Sequence, residues 1–126
     1  MPTREEHVGK AEENEAALDL LRTLARHPGW QATLLFYAAL HYVDAYLHAT
    51  GVLGAGPHRR SHLRRLGLVD LHLGSSLRSD FVMLQLASEQ ARYEAVPVTA
   101  EYVAALHQEP FTRIRTHVRT ALGLSP

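Results

Sequence analysis

Residues 30–50, WQATLLFYAALHYVDAYLHAT, predict a helix that is apolar around most of its circumference. Two apolar stripes run side by side at helical spacing. The first consists of Phe36, Leu40, Val43 and Leu47, and the second of Leu35, Ala39, Tyr42 and Tyr46. A helix that is apolar on most faces is normally buried among other helices. The segment therefore predicts the central helix of a helical fold.

One polar stripe interrupts this apolar surface. Its members, at i, i+4, i+7 and i+11, are Tyr37, His41, Asp44 and His48. A polar group that is buried without a hydrogen-bond partner costs about 1–3 kcal/mol. We therefore expect a polar partner opposite the stripe, which is another helix, a metal ion, a substrate or a second subunit.

Two interpretations of the stripe remain open at this point. His41 and Asp44, at i and i+3, are spaced to form an oriented imidazole–carboxylate pair, which suits a general base or a metal ligand. Alternatively, the stripe belongs to a network of hydrogen bonds between helices that fixes the register of the bundle.

Composition excludes several classes of protein. A length of 126 residues indicates one domain over residues 1–126. The chain has no cysteine, which excludes disulfides, thiolate metal sites and a cysteine nucleophile. The charges balance, with 13 basic and 13 acidic residues, so no overall field favours nucleic acid. The glutamate-rich start is unlike a signal peptide, and the central helix is too polar to span a membrane, so we expect a soluble, cytoplasmic protein.

Further helices are predicted on both sides of the central one. They cover about residues 4–26, 61–73, 77–94 and the segment from Thr99 onwards. Since no alternating strand pattern occurs, the fold class predicted is all-α, an up-and-down bundle of four to five helices.

Residues that favour helix ends mark the boundaries between these helices. Gly51 and Gly74 are predicted to end helices. The expected N-caps are Ser61, either Ser75 or Ser76, and Thr99. Pro110 is expected to kink or split the last helix, because proline removes one hydrogen bond and clashes with the preceding turn.

Two clusters with basic residues are candidates for binding an anion. Arg59, Arg60, Arg64 and Arg65 flank the predicted helix start at Ser61. Free N–H groups at such a start, together with arginine, suit a phosphate or an RNA backbone. A solvated loop that pairs with the acidic first helix is the alternative. The second cluster, Arg92 and Tyr93, closes the fourth helix, where Arg92 is placed to reach Asp44 or Glu94.

Several of these motifs, in this order, resemble those of small bacterial HEPN-like domain proteins. Residues 36–47, FYAALHYVDAYL, resemble the second helix of that family, in which a tyrosine, a histidine and an acidic residue follow one another. Ser61-His62-x-x-Arg65 is similar to the Ser-His-x-x-Arg after the next loop, and Ala91-Arg92-Tyr93 to the Ala-Arg-Tyr that ends a later helix. Residues 13–15 and Trp30 fit the N-terminal part, so the resemblance covers most of the chain.

The resemblance implies a helical bundle that commonly forms a homodimer. It also implies a role in RNA cleavage or in binding RNA or a nucleotide, often in defence or toxin–antitoxin systems, and a nucleotidyltransferase is a candidate partner. Ribonuclease members carry Arg-x4–6-His. The matches here, Arg22/His27 and Arg65/His72, are no more than chance predicts, and no histidine follows Arg92 at that spacing.

Together these observations predict a binding or regulatory module for RNA, a nucleotide or a protein partner, with one polar pocket between its helices. The residues expected to bind the ligand or anion are Tyr37, His41, Asp44, His62, Arg65, Arg92 and Tyr93. No metal and no cofactor is predicted.

Two other functions stay open. In a metal-independent ribonuclease, the catalytic candidates are His41, Asp44 and His62, with Arg65 or Arg92 stabilising the charge of the transition state. In a purely structural interaction protein, the polar stripe would only set the register of the bundle.

Overall fold

The computed structural model describes residues 2–52, 62–93 and 97–126, and of His62 only the backbone. All regular structure in these ranges is helical, which confirms the all-α prediction. The helices are α1 (Arg4–Thr23), α2 (Pro28–Ala49), α3 (His62–Leu73), α4 (Ser75–Tyr93), α5 (Ala100–Leu106) and α6 (Thr112–Ala121). One turn of π-helix, His107–Phe111, joins α5 to α6 into a single rod.

The long helices run alternately up and down in the described part of the chain. The contacts that set these directions are His7–His41 and Arg26–Gln31 for α1 and α2, Ala91–Gly29 and Phe81–Phe36 for α4 and α2, and Glu12–Arg119 and Glu15–Arg115 for α1 and α6. Within each pair of helices, the contacts advance along one helix as they go back along the other, which is antiparallel packing. The four rods α1, α2, α4 and α5–α6 therefore alternate, and the short α3 precedes α4.

Helix α2 is the centre of this bundle, as its apolar stripes predict. It contacts every other described helix. Seven of the eight side chains in the two stripes are buried, and the eighth, Tyr46, is half-buried. Burying each large apolar side chain contributes about 1.5–3 kcal/mol, so α2 supplies much of the stability of the core.

Most of the predicted helix ends are confirmed. Gly51 and Gly74 have φ angles of +76° and +95°, which glycine adopts without strain. The hydroxyl of Thr99 accepts a hydrogen bond from the backbone N–H of Tyr102. The prediction for Ser75 and Ser76 is wrong, because α4 begins at Ser75 itself. The carbonyl of Gly74 accepts the first helical bond of α4, so this glycine ends α3 and starts α4. Ser61 lies outside the described residues.

The predicted interruption at Pro110 is confirmed and takes the form of a π turn. Proline has no N–H and crowds the carbonyl one turn earlier, and the wider π turn accommodates it. The hydroxyl of Thr112 donates to the carbonyl of His107 at 2.7 Å, which supplies a partner at the disrupted turn.

Candidate functional site

The polar stripe of α2 meets three different helices. Its pairs are Tyr37 with Arg92 of α4, His41 with His7 of α1, and Asp44 with Arg65 of α3. Tyr37 and Asp44 are seven residues apart, which is about 10 Å along a helix. The single pocket expected from the sequence is therefore divided, among the described residues, into separate pairs along α2.

Asp44 and Arg65 form a buried, bidentate ion pair. The Nε atom of Arg65 lies 2.9 Å from Oδ1 of Asp44, and Nη2 lies 3.1 Å from Oδ2. The side chains are only 9% and 10% exposed. The parallel geometry offsets part of the cost of removing both charges from water. Both groups satisfy each other, so the geometry gives them a structural role between α2 and α3.

His41 is paired with a residue that the sequence patterns did not single out. Its Nδ1 atom lies 3.2 Å from Nδ1 of His7 on α1. One ring donates and the other accepts, so the contact fails when both are ionised. The one sequence signal for His7 is its place four residues before Ala11, on the buried face of α1.

Burial is the main influence on the ionisation of this histidine pair. It lowers the pKa of His7 and of His41 below their ordinary value, because a charged imidazole loses hydration there. Asp44 opposes this shift for both rings, whereas Arg65 adds to it. His48 lowers the pKa of His7 further, and the charge of His7 lowers the pKa of His41. Both rings are therefore neutral near pH 7.

We expect acid to destabilise the protein through this pair. Because the folded-state pKa values are lowered, the folded state binds fewer protons than the unfolded chain. Stability is fully present above the unfolded-state pKa of about 6.5 and falls as the pH drops through the lowered values. Each unit of lowering is worth about 1.4 kcal/mol. Urea unfolding at pH 7.5 and pH 5 measures the loss.

A double variant isolates the contribution of the pair. His7→Gln with His41→Gln should lose distinctly less stability between the two pH values than the original protein. The half-buried His107, whose pKa is also lowered by desolvation, is present in both proteins and cancels in the comparison. His72→Gln, at an exposed position on α3, is the control and should behave like the original protein. If the double variant loses as much stability between the two pH values as the original protein, the histidine pair is not the cause of the acid sensitivity.

Arg92 lies at the end of α4 with its guanidinium held in one orientation. Its Nη1 atom donates to the hydroxyl of Tyr37 at 2.9 Å, and its Nε atom to the carbonyl of Ser88 at 3.3 Å. Its central carbon is 5.6 Å from the ring centre of Tyr37 and 5.0 Å from that of Tyr93. Arg92 thus contacts Tyr37 rather than Asp44, one of the two partners that the sequence suggested, and the other, Glu94, lies outside the described residues. The two tyrosine rings stabilise the charge of Arg92.

A half-open cavity of about 330 Å³ lies beside Arg92, between the start of α2 and the end of α4. The residues that line it are His27, Gly29, Trp30, Thr33, Ala91 and Arg92. Among the ligand residues assigned from the sequence whose side chains the structure describes, only Arg92 lines this cavity. In the sequence, Trp30 was singled out only for its fit to the family pattern. Its exposure at the rim of the cavity depends on how α2 is rotated about its axis in the bundle.

The arginines of α6 are paired within the bundle. Arg119 lies 3.3 Å from Glu12 and donates to the hydroxyl of Tyr42 at 3.2 Å, and Arg115 lies 3.1 Å from Glu15. The Tyr42 hydroxyl in turn donates to Glu15. Burial and the nearby Glu15 carboxylate raise the pKa of Tyr42. The acidic charge of α1 is therefore neutralised in part by α6.

Part of the predicted site lies outside the described residues. This applies to Ser61, to Arg59 and Arg60, and to the side chain of the catalytic candidate His62. Among the residues that are described, no group of three or more histidine, aspartate and glutamate side chains is arranged to hold a metal ion. No described helix is both long and apolar enough to cross a membrane.

Comparison of the chain with protein-family models, curated proteins and solved structures found no match. Inferences about function therefore depend on the residues and on their geometry.

Proposed function

We propose that the chain is a HEPN-like binding module that takes RNA or a nucleotide into the cavity between α2 and α4. The observation that carries this proposal is Arg92, a cation that lines the cavity and is held by Tyr37 and Tyr93. No carboxylate among the described residues lies within ion-pair distance of it, whereas Arg65 and Arg113 are each paired with an aspartate. A phosphate matches the planar fork of such a guanidinium.

The contacts between the family-like motifs support the HEPN-like part of the proposal. Tyr37 belongs to the motif on α2 and Arg92 to the Ala-Arg-Tyr motif, and these side chains share a hydrogen bond. Asp44 of the first motif pairs with Arg65 of the Ser-His-x-x-Arg motif. The motifs that carry the resemblance are thus the ones that meet in the bundle.

The geometry favours binding over RNA cleavage. A metal-independent ribonuclease needs a free imidazole and a free cation beside the same phosphate. Among the described candidates, His41 bonds to His7 and Arg65 pairs with Asp44. Ribonuclease activity stays a prediction from the resemblance. Incubating the pure protein with mixed RNA in a chelator tests it, and cleavage at micromolar protein would replace the binding function with this one.

Substituting Arg92 tests the binding function. We expect Arg92→Ala to weaken binding of a fluorescently labelled single-stranded RNA about tenfold, and to reduce the slope of log affinity against log salt by about 0.7, the effect of one lost phosphate contact. Fluorescence anisotropy at several salt concentrations measures both. Arg92→Lys keeps the charge but loses the planar fork, so its affinity for RNA should lie between that of the original protein and that of Arg92→Ala.

Arg4→Ala is the matched control for this experiment. It removes the same charge from the first turn of α1, where Arg4 pairs only with the exposed Glu5 among the described residues. Its affinity and salt slope should equal those of the original protein. If Arg4→Ala and Arg92→Ala weaken binding equally, the effect comes from the overall charge of the protein. That result would contradict a site at Arg92.

We also propose that the module acts as a homodimer, as the resemblance implies. Support comes from large apolar side chains that α3 and α4 leave exposed, which are Leu63, Leu71, Met83 and Leu86. Light scattering after gel filtration should give twice the mass of one chain, and a monomer at high micromolar concentration would contradict this. The toxin–antitoxin role and the nucleotidyltransferase partner stay predictions from the resemblance.

A further inference from the structure

Trp30 occupies an unusual position at the rim of the Arg92 cavity. It is the only tryptophan of the chain, and 63% of it is exposed. Large aromatic side chains are normally mostly buried, because leaving them in water forfeits hydrophobic stabilisation. Trp30 lines the cavity on its α2 side, and Arg92 lines it on its α4 side. An exposed ring beside a cation is the arrangement on which single-stranded nucleic acid stacks its bases.

The size of the cavity limits what can occupy it. Its volume of about 330 Å³ is at the lower end of the range of about 300–1,000 Å³ that small-molecule sites cover. A single nucleotide unit is suited to such a space, whereas a double helix is not. A base within a duplex would first have to leave its stack and its partner, which costs free energy.

The orientation of Arg92 favours a phosphate next to that base. Its Nε and Nη1 atoms already donate within the protein, and Nη2 has no hydrogen-bond partner among the described residues. Because Tyr37 and Tyr93 hold the guanidinium, little conformational entropy is lost when a ligand accepts from Nη2. The first turn of α2, whose cap residue His27 makes no side-chain hydrogen bond, adds partial positive charge to the same cavity.

From these observations we infer that the cavity binds one unpaired nucleotide unit, with its base stacked on Trp30 and its phosphate at Arg92. This inference rests on the proposed function and specifies the chemistry of its ligand. The unit comes either from a free mononucleotide or from a single strand of RNA, since both present a base beside a phosphate.

The intrinsic fluorescence of Trp30 tests the inference directly. Because the chain has no other tryptophan, the signal reports on this cavity alone. Excitation at the red edge of the indole band avoids absorption by the bases. We expect saturable quenching by AMP and by a hexamer of adenylate, and at least tenfold weaker binding of adenosine and of inorganic phosphate. A blunt RNA duplex should leave the fluorescence unchanged.

The two nucleotide titrations distinguish the sources of the ligand. Similar affinities per site for AMP and for the hexamer would identify a free nucleotide as sufficient, and distinctly tighter binding of the hexamer would identify a strand. Either result supports the inference. Equal binding of phosphate and AMP, or equal binding of duplex and single strand, would overturn it.

Variants separate failure of the inference from failure of the proposed function. With a labelled hexamer followed by anisotropy, Trp30→Ala should bind about 5- to 150-fold more weakly, the effect of one base–aromatic stack. Tyr102→Ala removes another exposed aromatic ring, on α5, and should leave affinity unchanged. If Arg92→Ala weakens binding and Trp30→Ala does not, the base does not stack on Trp30, and only the inference fails. If neither variant changes affinity, the proposed function fails as well.

Discussion

Asp44→Leu is expected to lower the free energy of unfolding by about 3–5 kcal/mol, because it leaves the guanidinium of Arg65 buried without its carboxylate. Arg65→Met should cost a similar amount, since it leaves the carboxylate unpaired instead. Urea unfolding at neutral pH measures both values. The size of the effect follows from burial, as the two side chains are about nine-tenths inaccessible to water.

The double variant distinguishes a specific pair from two independent contributions. Asp44→Leu with Arg65→Met should lie within about 1 kcal/mol of the original protein or exceed it, because an apolar pair of similar volume needs no desolvation of charge. A double variant as unstable as the sum of the single ones would contradict this account. Glu13→Ala, which breaks the exposed pair with Lys10, is the control and should change stability by less than about 0.5 kcal/mol.

Substituting two neighbours on the polar stripe of α2, instead of the two members of the ion pair, should have a different result. Changing His41 and Asp44 together removes two neighbours on one helix and leaves both of their partners behind. Arg65 would remain buried without a counter-charge, and His7 would lose its hydrogen bond. We therefore expect that pair of substitutions to destabilise the bundle rather than to be tolerated.

Tyr42→Ala is expected to have an effect of comparable size, about 3–5 kcal/mol, because it opens a cavity in the core. The ring is fully buried on α2 and lies 6.3 Å from the ring of Phe111. Its hydroxyl bonds to Glu15 of α1 and to Arg119 of α6, so the same side chain joins three helices. Thermal and urea unfolding measure the loss.

Tyr42→Phe separates the ring from the hydroxyl. It keeps the packing and removes only the hydrogen bonds, and the Glu15 carboxylate keeps Arg115 as its counter-charge. The expected cost is therefore about 1–2 kcal/mol. Tyr102→Ala, at a partly exposed tyrosine on α5, is the control and should cost much less than Tyr42→Ala. If Tyr42→Phe is as unstable as Tyr42→Ala, the contribution of Tyr42 to stability comes from its hydroxyl rather than from its ring.

Local signals predicted the helices well because each is a property of adjacent residues. The apolar circumference of α2 identified the central helix, and Thr99 and Gly51 marked ends through their own backbone chemistry. Pro110 predicted the interruption of the last rod for the same reason. The error at Ser75 arose because one glycine, Gly74, serves two helices, which a residue-by-residue assignment of caps does not anticipate.

The candidate site was predicted only in part, because the polar partners come from distant parts of the chain. Tyr37, Asp44, Arg65 and Arg92 were all singled out, and Arg65 and Arg92 do meet the polar stripe, but which residue pairs with which was not predicted. Arg92 was placed near Asp44 or Glu94, whereas the antiparallel packing of α4 on α2 brings it to Tyr37. His7 was missed, since nothing in its local sequence shows that it faces His41 across 34 positions.

The amino-acid sequence by itself determined that this chain forms a helical bundle, which segment lies at its centre and where a polar stripe needs partners. These properties follow from hydrophobic periodicity and from the backbone preferences of glycine, proline and threonine. Only the tertiary structure decided which partner each polar group has and that Trp30 and Arg92 share a cavity. The rotation and direction of each helix depend on the packing of the whole core, and no local segment encodes that packing.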